Sequence, residues 1–168
     1  MGSSFLIALS AQVAFGWPVP ITGQTFAVLM AAVFMGGRWG AVSTAIYAGL
    51  GFIGVPWFSG WAGGLSPTSG YIIGFILAAF FLGHFTDKYI RSRSFFVILA
   101  LMLFADFILI WIPGLLWRTL WVNLVLERPV ALTSSLIGSI PFVPGDIIKI
   151  VAAAMIARGI TTRQAFNS

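Results

Sequence analysis

Residues 94–111 read SFFVILALMLFADFILIW, interrupted by a single ionisable side chain, Asp106. A helix crossing the hydrocarbon core of a bilayer needs about 20 predominantly apolar residues, whereas a helix on a soluble domain needs a polar face to meet water. This stretch has no such face. The flanking chain reads the same way: residues 1–37 carry no charge, and residues 39–85 carry none apart from the titratable His84. Of the 168 residues 60% are hydrophobic and 8% are charged, against about a quarter charged in a soluble domain. An all-α, polytopic integral membrane protein is expected, forming a single domain over residues 1–168.

Six segments fit as membrane spans: residues 3–16, 24–36, 41–55, 71–85, 94–111 and 145–158. Pro and Gly mark their limits. Pro18 and Pro20 break the chain after the first, Gly36-Gly37 closes the second, and Pro56 ends the third ahead of the loop WFSGWAGGLSPTSG. With six spans, Arg38, the group Asp87-Lys88-Arg91-Arg93, Arg158 and Arg163 fall on one side, and Arg118 and Arg128 on the other. The excess of Lys and Arg marks the first side as cytoplasmic, so both termini are expected inside. No basic segment precedes the first apolar run, so no cleavable signal peptide is expected. Residues 115–141 are apolar and Trp-rich but broken by Arg118, Asn123, Glu127 and Arg128. They read as an amphipathic segment at the outer interface between spans five and six.

Several functions are excluded. The chain has no cysteine, four carboxylates and one histidine, so it offers neither thiol chemistry nor a metal cluster, and His84 reads as an interfacial side chain. No GxxxxGK[ST] pattern supplies an ATP site. The net charge of +5 is scattered over loops and forms no stripe for nucleic acid. An enzyme is not expected, nor is a cofactor.

The stretch PFVPGDIIKI, residues 141–150, places Asp146 and Lys149 three residues apart at a helix start. At that spacing they share a face, expected to continue through Ala153, Met155 and Ile156. Ionisable groups within spans usually face a cavity or a partner. The same membrane side collects Gln24, Trp57, Phe58 and the Gly63-Gly64 turn, which together describe a pocket for a small, largely apolar molecule with an amide-like group and one negative charge. Asp106 in the fifth span reads as a lone carboxylate hydrogen-bonded to a neighbouring helix or held protonated or, less often, as a proton or ion carrier.

Four motifs in order, PVPITGQT (18–25), GFIGVPWFSG (51–60), GGLSPTSGYIIGF (63–75) and PFVPGDIIK (141–149), resemble the BioY family of biotin-binding substrate components (S components) of energy-coupling-factor (ECF) vitamin transporters. The match is weakest in the loop around Ser59-Gly60 and at Ser66. The resemblance implies biotin as transported ligand, a transmembrane coupling subunit and paired ATPase subunits as partners, and a prokaryotic plasma-membrane location among lipid. It implies a biotin site made of Asp146, Lys149, Gln24, Trp57, Phe58, Ser59, Gly63, Gly64, Thr68 and Tyr71. Which ligand end meets Asp146 and which meets Lys149 stays open. By resemblance, Ala8 and Ala11 on the small-residue face of the first helix would dock the coupling subunit. The remaining alternatives are another small vitamin or precursor as ligand, and a non-transporting membrane assembly protein.

Overall fold

The computed structural model describes residues 2–15, 21–88 and 94–164; Pro18, Pro20, Arg91 and Arg93 lie outside them. Among the described residues the elements are helical except for one pair of two-residue strands, Ala14–Phe15 with Ile21–Thr22, and an isolated bridge between Phe58 and Ala62. The helices are α1 (Gly2–Gln12), α2 (Gln24–Phe52), α3 (Ser69–Lys88), α4 (Phe95–Phe104), α5 (Trp111–Leu124), α6 (Leu132–Ile137) and α7 (Val143–Gln164). A π-helical turn, Ala105–Ile110, joins α4 to α5. Among the described residues four runs, Gln24–Phe52, Ser69–Lys88, Phe95–Leu124 and Leu132–Gly159, are long and apolar enough to cross a membrane.

The first of these is not one rod. Gly36 has φ 76° and ψ 173°, outside helical geometry and in a region that favours glycine. Gln24 Nε2 donates to the Tyr47 hydroxyl at 2.6 Å; 23 residues of straight helix would hold their backbones about 35 Å apart. Residues 24–35 and 37–52 are therefore antiparallel arms of a hairpin, and the Gly40 α-carbon lies against Ala31 and Ala32. The break falls where Gly36-Gly37 was expected to close a span.

Asp87, from the end of α3, completes this turn. Its Oδ2 accepts from the Gly37 backbone N–H at 2.8 Å, capping the second arm as a cap residue of the arm itself would. The carboxylate occupies the space that a Gly36 Cβ would need. Gly37 and Gly83 bring the hairpin and α3 into backbone contact, the close approach that small residues permit between helices in lipid. Gly70 and Gly74 do the same on α3 against Pro113 and Ile110.

Two sequence expectations change. The fifth helix does not stop at Trp111: it runs through the π turn to Leu124, taking in the first part of residues 115–141. Pro113 has no N–H and its ring crowds the carbonyl four residues back; the wider turn that precedes it gives the backbone room to continue. On α7, Ile150, Ala153, Ala154 and Ala157 are buried below Asp146, whereas Met155 and Ile156 are exposed. At about 100° per residue, Ala153 returns to the Asp146 face and Met155 points the opposite way.

The core joins Ile7 and Ala8 of α1 to Leu29, Tyr47, Leu82, Met102 and Ile150. Phe5, Leu6, Phe80, Phe96 and Ile148 are exposed, an outward apolar surface that suits lipid rather than water.

Candidate functional site

Local chemistry brings distant residues to one place. Pro144 and Gly145 open α7, and Asp146 lies in its first turn, where the positive helix end favours a carboxylate. Lys149, one turn on, pairs with Asp146 Oδ1 at 2.5 Å and donates to the Thr22 carbonyl at 3.1 Å. That second bond ties the last helix to the strand before α2, 127 residues away. Asp146 Oδ2 accepts from the Trp111 indole N–H at 3.2 Å, the partner a buried indole requires. Both carboxylate oxygens of Asp146 are thus engaged.

Gln24 forms the adjoining wall. Its Oε1 accepts from the Thr22 hydroxyl at 3.0 Å and its Nε2 donates to Tyr47. Both groups bond in a single amide orientation, so the side chain is fixed.

The loop between α2 and α3 covers the site. Gln12 at the end of α1 donates to the Phe58 carbonyl at 2.9 Å and accepts from the Trp61 N–H at 3.1 Å, so one side chain pins both ends of the short helical turn Ser59–Trp61. Phe58 is buried, with its ring edge-on to Tyr47 at 5.4 Å between centroids.

These elements enclose a cavity of about 510 Å³, within the range of about 300–1,000 Å³ usual for small-molecule sites. Asp146, Lys149, Gln24, Phe58, Ser59, Thr68 and Tyr71, all expected from the sequence, line it. Of the lining residues, Thr68 and Ala62 in the loop are exposed and Asp106 is buried, so the cavity leads inward from the loop.

Trp57, Gly63 and Gly64 do not line the cavity. The Trp57 indole donates to the Tyr47 carbonyl at 3.0 Å and its ring lies on Tyr47, so it supports the wall from behind. Gly63 packs on the backbone of Gly54 and Val55, and the Gly64 N–H donates to the Gly51 carbonyl at 2.7 Å. Both glycines shape the loop.

Ala8 and Ala11 are 5% and 0% exposed. They pack inside the chain and cannot present a docking surface; the outward residues of α1 are Phe5, Leu6 and Leu9. The regular small-residue spacing records close packing between α1 and the hairpin, where Ser3 bonds the Ser43 hydroxyl and Ser4 the Ser43 carbonyl, each at 2.8 Å.

Sequence reasoning missed Trp111 and Arg118, which also line the cavity. Arg118 donates to the Ser139 hydroxyl at 3.2 Å. Trp111 already ended the expected fifth span, and extending that helix past Pro113 would have added Arg118 to the wall that holds Asp106.

A family profile described as the BioY family matches residues 1–166. The chain is 45% identical over 145 residues to the probable biotin transporter BioY of Methanothermobacter thermautotrophicus, covering 82% of this chain and 91% of that protein. It is 35% identical to the biotin transporter BioY of Rhizobium etli, over 85% of this chain and 78% of that one. A crystal structure of the S-component for biotin from an ECF-type ABC transporter superposes with a TM-score of 0.82 at 28% identity, covering 96% of this chain and 87% of that one.

Proposed function

The chain belongs to the BioY family, and from that premise we propose that it captures biotin from outside the cell and delivers it through an ECF-type, ATP-driven transporter. The protein serves biotin uptake, as a component of a membrane transporter and not as an enzyme. It is a multi-pass membrane protein.

The observation that carries the reading is the cavity itself, with aromatic and apolar walls and a fixed polar group built from Asp146, Lys149, Gln24 and Thr22. Biotin offers the matching chemistry: fused rings with a ureido group at one end and a carboxylate on a flexible tail. Phe58 and Tyr71 cover the rings, Gln24, Asp146 and Lys149 meet polar groups of the ligand, and Ser59 and Thr68 close the approach. Trp57, Gly63 and Gly64 hold the loop over it.

The chain acts as one domain with six membrane-crossing helices: α1, the two arms of α2, α3, the α4–α5 helix and α7. The remainder of residues 115–141 beyond the end of α5 rests at the outer interface, and both termini are cytoplasmic. A separate transmembrane coupling subunit receives the loaded protein and paired ATPase subunits energise delivery, since the chain has no GxxxxGK[ST] motif.

Equilibrium binding of labelled biotin to the purified chain tests this. Saturable binding, weakened at least tenfold by Lys149→Ala, is expected. Folded wild-type protein that ignores biotin would remove the proposed ligand, while biotin binding unchanged in both Lys149→Ala and Asp146→Asn would remove the proposed site.

A further inference from the structure

Asp106 lines the cavity at 1% exposure, and neither of its carboxylate oxygens has a hydrogen-bond partner among the described residues. Buried polar groups are almost always satisfied, so an orphan calls for a reason. The polar groups nearby are already engaged. Asp146 accepts from Trp111 and pairs with Lys149, Lys149 also reaches the Thr22 carbonyl, and the Gln24 oxygen takes the Thr22 hydroxyl. Asp106 is therefore an acceptor held ready, at the buried end of a cavity whose other end is exposed.

The backbone adds a second, independent sign. Asp106 is the second residue of the π-helical turn Ala105–Ile110, and its carbonyl accepts from the Trp111 N–H, five residues on. Such turns insert an extra residue into a helix and re-aim the side chains around it, often at functional sites. Here the turn lets Asp106 and Trp111, on one helix, both face the cavity.

An orphaned acceptor selects a ligand with a donor. Resting on the biotin-capture reading above, we propose that Asp106 accepts a hydrogen bond from a ureido N–H of biotin, so that the fused ring lies at the buried end and the carboxylate tail runs towards the loop. A ligand with the same outline but no donor there would leave the carboxylate buried and unpaired, and a site built this way rejects it strongly.

The test crosses two changes. Asp106→Leu keeps the branched shape of the side chain and removes both acceptor oxygens, and a carba-analogue of biotin, with CH2 in place of both ureido N–H groups, keeps the outline of the ligand. Equilibrium binding to the full chain should weaken about 10- to 100-fold for either change alone. The two together should cost little more than one, because they remove the same bond. Losses that multiply, or Asp106→Leu protein that holds biotin within twofold of wild type, would overturn the proposal. Should the variant not fold, wild-type protein alone decides: carba-analogue binding as tight as biotin overturns it, and a loss of tenfold or more supports it. Wild-type protein that binds neither ligand would instead bring down the biotin reading on which this one rests.

Discussion

Phe58 reaches the cavity only because residue 51 has no side chain. A methyl group on Gly51 would stand 2.0 Å from two carbons of the Phe58 ring, far inside van der Waals contact. Gly51→Ala must push the ring into the ligand's space or shift the loop, and overpacking of this kind costs about 1–3 kcal/mol. Biotin affinity is expected to fall by at least fivefold while the helical circular-dichroism signal stays unchanged; titration with labelled biotin measures the first. Single residues were also where the sequence was most and least readable. Asp146 and Lys149 stood out because charge is rare in this chain and their spacing puts them on one face. Trp57 and Gly64 carry the same kind of signal as Phe58, an aromatic or glycine in the covering loop, and sequence could not separate the residue that lines the cavity from those that hold it in place. That separation depends on how the loop closes over Tyr47, a contact between segments far apart in the chain.

Helix ends were legible wherever glycine and backbone geometry agree. Gly36-Gly37 announced a break, and the turn there is made and capped with help from α3. Asp87→Ala removes the acceptor for the Gly37 N–H and is expected to cost about 1 kcal/mol, within the usual range of about 0.5–2 for lost caps. Chemical unfolding of the purified chain in detergent would measure it, and Asp87→Asn, which keeps an acceptor oxygen, is expected to cost less. The end of the fifth helix was not legible. Pro113-Gly114 looks like a stop, and only the π turn before it, invisible in the sequence, lets the helix go on to Arg118. Ala8 and Ala11 misled for a related reason: small residues signal that a helix is closely approached, without saying whether the neighbour belongs to the same chain.

For the molecule as a whole, composition pointed to lipid rather than water as the solvent before any residue was assigned a role. Exposed Phe80 on α3 and Ile148 on α7 belong to the lipid-facing surface, so Phe80→Asp is expected to reduce membrane insertion by about 2.5–3.5 kcal/mol if it sits at mid-bilayer depth, read as a lower yield of membrane-integrated protein. A ligand held between several helices stabilises all of them together. Biotin at 100 times its dissociation constant is expected to raise unfolding free energy by about 2.7 kcal/mol, seen as a higher midpoint in thermal unfolding, and the shift should shrink in Lys149→Ala at the same biotin concentration.

The bond from Lys149 to the Thr22 carbonyl joins residues near opposite ends of the chain. A ribosome that has released the first five helices into the membrane has therefore made most of the fold and none of the finished site, because the polar wall arrives with α7. On the biotin-capture reading, nascent chains that stop short of α7 would pass biotin by, and the vitamin would bind only once that last helix is in place.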